Sequence, residues 1–340
     1  MATRDTRSVL SRLKTRHEML RDLSGDLKLV LKALAADYTS GLAPDRVLIR
    51  SNFARREKPY DGLVSDRRLP PPEERPPSVR LMKSNGIAQP FYLTTLFVAQ
   101  TQAKGGQGFT NKLRTVPGPG TGATRTWADY VAVPLNVSSQ ARGRVTKGER
   151  IRDDNRKRQI YGALRTLAGE SLVHLPNASS PSRQYEDFRL LEESGVDAVA
   201  LRRYAVPTQT DAFSVPASFF VNGWHLVLTR SEIAFLLMLW QIAGVPGRSV
   251  GSWIKIASDV RLRSFAISPA AYGTHRFLAD LGLVEVEHAE GRHADGTFEG
   301  VNEGADPLLH QFRLRETAFD LPAISRVLPT LQGRIRALDT

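Results

Sequence analysis

Between positions 154 and 167 the chain reads DNRKRQIYGALRTL. On a helix of about 100° per residue, Ile160, Ala163, Leu164 and Leu167 gather on one side. Asn155, Arg158, Gly162 and Arg165 fall on the other, with Gln159 and Tyr161 at the borders. Arginine, asparagine and glutamine are the side chains that make paired hydrogen bonds to guanine or adenine edges in a major groove. A glycine in an exposed helical face costs about 1 kcal/mol of propensity, which makes sense where a backbone must approach a duplex closely. Arg156 and Lys157 add positive charge. Arg142, Arg144, Lys147, Arg150 and Arg152 precede the helix in a polar loop suited to phosphates. The implied chemistry is non-covalent: base edges read by one helix, phosphates held by the loop before it. An ordinary solvated basic face is the competing reading.

Catalytic and metal-binding patterns find less support. Glycines cluster at residues 104–108 and 118–122, but without the G-x-x-x-x-G-K-[ST] order that cradles a triphosphate, so both read as loops. His288, His293 and His310 lie near Glu287 and Asp295. Zinc there would need ligands converging from a loop and a strand, and histidines on a solvated hairpin are the simpler reading. His275 falls on the inner face of its helix and reads as a core histidine. No Ser/His/Asp set or pair of buried carboxylates can be placed together. Cysteine is absent, which excludes a disulfide framework, a thiolate metal site and a Cys nucleophile, and fits a reducing cytoplasm. No enzymatic activity, metal or cofactor is expected.

The helix that carries these residues belongs to a stretch that occurs twice. Residues 161–175 read YGALRTLAGESLVHL and residues 272–286 read YGTHRFLADLGLVEV. Without a gap they agree at Tyr161/Tyr272, Gly162/Gly273, Arg165/Arg276, Leu167/Leu278, Ala168/Ala279, Leu172/Leu283 and Val173/Val284. Each copy starts with helical spacing and turns a Gly- or Ser-containing corner into a β-prone run. A second strand candidate follows each, Phe188-Arg189-Leu190 and Phe312-Arg313-Leu314. Helix, corner, strand, loop, strand is how a recognition helix feeds the wing of a winged helix–turn–helix, and a fixed repeat suggests two such units.

A chain of 340 residues, 41% hydrophobic, has room for about two domains. Residues 1–54 hold an amphipathic helix with a heptad seam of Leu10, Leu13, Leu20, Leu27, Leu31 and Leu34, unbroken or broken near Ser24-Gly25. That seam suits either a self-association coil or a helix lying on its own core. Residues 55–84 hold Pro59, Pro70, Pro71, Pro72, Pro76 and Pro77 among charges and read as an extended linker. The first winged unit spans residues 85–194, with helices at 91–103, at 127–133 and from Asp153 or Asp154 as N-cap. Residues 195–222 read as a connector with a short helix near 196–204. The second unit spans residues 223–320. It has a capping-box pattern at Thr229-Arg230-Ser231-Glu232, helices at 233–243 and 253–260, and a third started by Ser268-Pro269. Residues 321–340 close the chain with a helix interrupted by Pro329. The expected fold class is therefore mainly α with small β-hairpin wings, an α+β arrangement.

Formal net charge is +12 and is unevenly placed. Residues 81–165 carry 14 Lys/Arg against 4 Asp/Glu, whereas residues 166–340 carry 16 against 20. The first unit thus points to a polyanionic partner. In the second, Arg261, Arg263, Ser264, Tyr272 and Arg276 are candidates, with Arg292 in its wing; Arg183 lies in the first wing. The N-terminus has no apolar signal core, and the longest apolar run, 233–245, is interrupted by Gln241 and too short to span a bilayer.

Two winged units, a linker and a possible coil together resemble plasmid replication initiators of the tandem winged-helix type, over about residues 85–320. The resemblance implies that one unit binds duplex DNA strongly and the other mixes DNA binding with dimerisation. By position it makes Arg158, Tyr161, Arg165, Tyr272 and Arg276 recognition residues. The expectation is a bacterial cytoplasmic protein that binds double-stranded DNA sequence-specifically, in transcription control or replication initiation. A homo-oligomer through the residue 10–34 helix goes with it, and no membrane association. The competing class is a tandem winged-helix interaction scaffold of a DNA-organising or partition complex.

Overall fold

The computed structural model describes residues 4–83, 86–117, 125–132, 145–195, 202–208, 210–245, 251–289 and 309–339, and for residues 4–5 and 145–152 the backbone alone. From the N-terminus, α1 (Arg4–Ser40) leads into β1 (Arg46–Arg50) and the single turn α2 (Ser51–Ala54). Two 3-10 turns, Pro72–Glu74 and Leu81–Lys83, flank α3 (Pro77–Arg80). Next come α4 (Ala88–Gln102), a 3-10 turn Trp127–Tyr130, α5 (Val145–Gly169), β2 (Val173–His174) and β3 (Arg189–Leu190). β4 (Ala212–Pro216) precedes α6 (Ser218–Val221), α7 (Trp224–Val227) and α8 (Arg230–Ala243). The chain ends with β5 (Ile254–Lys255), α9 (Ser258–Arg263), α10 (Pro269–Tyr272), α11 (His275–Asp280), β6 (Val284–Glu287), β7 (Gln311–Leu314) and α12 (Ala323–Asp339). The fold is mainly helical with small antiparallel sheets, as the sequence predicts.

The core is built on α4 and α8. Both are buried around nearly their whole circumference, as helices enclosed on all sides must be. The predicted capping box forms at the start of α8: Thr229 N donates to Glu232 (2.8 Å) and Glu232 N to Thr229 Oγ1 (3.3 Å). The Ser268 hydroxyl caps α10 as predicted, accepting from Ala271 N at 3.2 Å.

α1 is one unbroken helix through Ser24-Gly25. Leu20, Leu27 and Leu34 of the heptad seam, with Leu23 and Val30, are buried in the chain's own core. Leu13 and Leu31 pack partly buried against the same core, so of the two readings of the seam the structure shows the helix lying on its own core. α1 packs on α12, α4, α6 and the Trp127 turn. It is also pinned by polar contacts: Arg16 grips Glu232 with two hydrogen bonds of 2.7 and 2.8 Å, and Asp26 accepts from Arg156 at 3.1 Å.

The Pro-rich stretch is not a linker. Pro77, Val79 and Leu81 are buried, and the segment bonds to distant parts of the chain. Arg56 N donates to Ser264 O (2.8 Å) and Tyr60 N to Arg263 O (3.0 Å). Asp66 accepts from Arg261 (2.7 Å), and Arg80 pairs with Glu170 (2.6 Å). Residues 55–83 form a strap from α9 to the end of α5. Proline excludes regular ladders, but leaves carbonyls that arginine side chains can reach.

The connector also differs. β4 pairs antiparallel with β1, in the register Val47↔Val215 and Ile49↔Phe213, so residues 212–216 are a strand. Residues 202–204 are extended rather than helical, with Arg203 bridging Leu191, while 196–201 lie outside the described residues. The Gln100 side chain completes the other edge of β1, accepting from Leu48 N (2.8 Å) and donating to Leu48 O (2.7 Å). Further differences concern helix limits. α5 begins at Val145, so Asp153 and Asp154 lie inside it rather than capping it. The second helix of the first unit is only the turn Trp127–Tyr130. Residues 253–260 divide into β5 and the start of α9. α12 continues through Pro329.

The sequence repeat is a structural repeat at its corner. Ser171 (φ 55°) and Gly282 (φ 73°) occupy matching left-handed positions. Behind each, Leu172 N donates to Leu167 O (2.9 Å) and Leu283 N to Leu278 O (3.0 Å). Ahead, Leu191 N bonds Leu172 O and Arg315 N bonds Leu283 O, both at 3.0 Å. The hairpins β2–β3 and β6–β7 follow. The helices before the corners differ: α5 is continuous, whereas the second copy breaks at Gly273 into α10 and α11. The second sheet also gains β5, in the order β5-β7-β6.

Candidate nucleic-acid interface

α5 is anchored by Ile160, Ala163, Leu164 and Leu167, which are buried as the sequence predicts. Lys157, Arg158, Gly162 and Arg165 are exposed on it, while Asn155, Gln159 and Tyr161 are half-buried. A Cβ added at Gly162 would meet nothing within 4 Å, so this face is open down to the backbone.

The aromatic support of that face was not legible in the sequence. Tyr161 stacks on Tyr185 with ring centroids 4.2 Å apart, and the Lys157 ammonium lies 5.6 Å from the Tyr161 ring. Arg165 donates to the Tyr185 hydroxyl at 3.0 Å. Tyr185 is buried and comes from the loop between β2 and β3, so this loop steadies the helix that precedes it. Burial, helped by Glu186 and Tyr185, raises the Tyr161 pKa above that of an ordinary phenol.

Arg156 points the other way. It donates to Asp26 (3.1 Å) and to the Val131 carbonyl (3.3 Å), so it is a strut between α5 and α1 and is corrected as a DNA contact. Arg183 is exposed and paired with Asp187 at 3.1 Å. Lys147, Arg150 and Arg152 lie in the first turns of α5 rather than in a loop, and their side chains are outside the described residues. Arg142, Arg144 and Arg292 lie outside them altogether.

In the second copy most candidates are turned inward or covered. Tyr272 is 6% exposed, held between Phe235 and Phe312. Arg261 is 5% exposed; it lies over the Tyr272 ring and donates to Ile267 O (2.6 Å) and Asp66 (2.7 Å). Arg263 donates to the carbonyls of Tyr60 (2.7 Å) and Gly62 (2.8 Å). Ser264 is buried. The strap bonds to Arg261, Arg263 and the Ser264 carbonyl, Tyr272 is enclosed by core rings, and Arg261, Arg263, Ser264 and Tyr272 are corrected as DNA-facing residues. For Tyr272 the physical reason is the break at Gly273, which turns it into the core while Arg276 stays exposed.

His275 is fully buried, with Nδ1 2.7 Å from Tyr272 O. Burial lowers its pKa to about 4. It is a core histidine, but its Nε2 has no hydrogen-bond partner. The His288 and His310 rings lie 5.0 Å apart. Among the described residues no group of three His, Cys, Asp or Glu side chains could hold a metal ion, and no helix is long and apolar enough to cross a membrane. His293 and Asp295 lie outside them.

No protein-family model matches the chain, and no curated protein and no solved structure matches it either.

Proposed function

We propose that the protein binds double-stranded DNA sequence-specifically without catalysing a reaction, through two tandem winged helix–turn–helix units of which the first is the reader. It acts in bacterial transcription regulation or plasmid-type replication initiation. The observation that carries this reading is the exposed row Arg158, Gly162 and Arg165 on α5, set directly before a left-handed corner and a hairpin. The order of α8, β5, α9, α10–α11, β6 and β7 supports a winged helix for the second unit, because in that fold the first strand pairs with the last strand of the wing, as β5 does with β7. The strong positive charge of residues 81–165 supports the polyanionic partner.

Electrophoretic shift across a salt series tests the reading. Affinity should fall steeply with salt, and a cognate duplex selected from random sequence should bind at least about 10³-fold better than bulk duplex. Binding that ignores salt and sequence would sink it. The covering of Arg261, Ser264 and Tyr272 favours a second reading for the second unit alone, as a scaffold facing protein rather than DNA. Under that reading Arg276→Ala leaves duplex affinity unchanged while Arg158→Ala lowers it.

A further inference from the structure

The open face of α5 does not end at Arg165. At about 3.6 residues per turn, Thr166 and Gly169 lie in the same arc as Asn155, Arg158 and Gly162, and Gly169 is about 10 Å along the axis from Gly162. At that end the face opens into a cleft of about 610 Å³ between Thr166 and Gly169 on one side and the strap on the other. The strap supplies three cations to it: Arg75, Arg80 and Lys83.

These cations differ in what they already hold. Arg80 is committed, with Nε 2.6 Å from Glu170 and Nη2 donating to Gly195 O at 3.2 Å. The Arg75 Nε donates to Pro70 O at 2.7 Å, and among the described residues no carboxylate lies within ion-pair distance of its guanidinium. Burial lowers the Arg75 pKa from its usual value, with Glu73 opposing. Lys83 is exposed and likewise has no ion-pair partner among the described residues. Among the described residues that line the cleft, Glu170 is answered by Arg80, leaving Arg75 and Lys83 against Glu73. A half-buried guanidinium with no carboxylate in contact is best completed by an anion that accepts several charge-assisted hydrogen bonds, as phosphate oxygens do.

We infer that this cleft binds a phosphate group through Arg75 and Lys83, and that the phosphate is one of the backbone of the duplex lying along α5. This rests on the DNA reading of α5 and adds to it that the Pro-rich strap is a second DNA-contacting element. Since the contact is to the backbone, it raises affinity for all sequences alike.

The test uses the full chain with Arg75→Ala/Lys83→Ala, beside the charge-preserving Arg75→Lys/Lys83→Arg. The Ala pair should weaken binding to cognate and random duplex by the same factor. It should also reduce the slope of log affinity against log salt by about 0.9 for one phosphate lost. The charge-preserving pair should restore the slope. Wild-type affinity and slope in the Ala pair would overturn the inference while leaving the reading of α5 standing. If the wild-type chain binds no duplex, the DNA reading itself fails, and ³¹P line broadening of inorganic phosphate then decides. Broadening that the Ala pair abolishes supports a phosphate cleft filled from a free source. The absence of broadening overturns the inference.

Discussion

Arg158 and Arg165 stand about two turns apart on α5, and both are exposed, so removing either leaves the core intact. Replacing either by Ala should cost about 1–3 kcal/mol on a cognate duplex and far less on random duplex, read by fluorescence anisotropy. Tyr185→Phe keeps the stack on Tyr161 but releases the Arg165 guanidinium, and should cost less than Arg165→Ala. The corner residue carries a separate prediction. Ser171 holds a left-handed φ of 55° where the second copy has Gly282. Ser171→Gly should stabilise the chain by about 1 kcal/mol, the strain a side chain meets there, and Gly282→Ser should lose a similar amount in urea unfolding. A third concerns pH. Burial pushes His225 down to about 3 and His275 to about 4. Unfolded histidine titrates near 6.5, so below that pH the unfolded chain binds more protons than the folded one. Stability should thus be lost as pH falls from about 6.5 toward 4 for His275 and toward 3 for His225, with an upper bound of about 2 kcal/mol per histidine at pH 5. Urea midpoints at pH 7 and pH 5 check it; equal midpoints would refute it.

The strap separates the element that a pattern reading sees from the element that forms. Leu81 is completely buried, so Leu81→Ala should cost about 2–5 kcal/mol, whereas a residue in a true linker would cost nothing. Thermal unfolding of the variant decides between the two. Local chemistry was legible wherever neighbours in sequence make the bonds: Thr229 with Glu232, Ser268 with Ala271, and the corners after Leu167 and Leu278. The buried stripe of α5 was legible for the same reason, since a 3.6-residue period records which side is enclosed. What escaped were contacts across long stretches of chain, as when Tyr60 and Asp66 meet Arg263 and Arg261. No periodicity announces that an arginine will spend its donors on a carbonyl from a proline-rich segment. The identity of Tyr161 and Tyr272 misled for a related reason. The same Tyr-Gly pair lies inside a continuous helix in one copy and at a helix end in the other, so one ring is half-exposed and the other buried.

At the scale of the molecule α1 is the element that makes two repeated units into one object. Its buried leucines share a core with α4 and α6, its Arg16 holds Glu232 at the start of α8, and its Asp26 holds Arg156 on α5. α12 packs along it from the opposite end of the chain. Each unit therefore exposes apolar surface and leaves a buried charge unmatched if α1 is withdrawn. Breaking one side of a buried ion pair costs about 3–5 kcal/mol, a large share of the 5–15 kcal/mol that holds a typical domain folded. Two consequences can be measured. Calorimetry of the intact chain should show one cooperative transition rather than two, because neither unit can open without uncovering α1. A chain lacking residues 1–55 should be largely unfolded by circular dichroism, rather than a folded chain that has merely lost a self-association helix. Two resolved transitions, or a truncated chain with native ellipticity and an unchanged Tm, would show that α1 is an appendage.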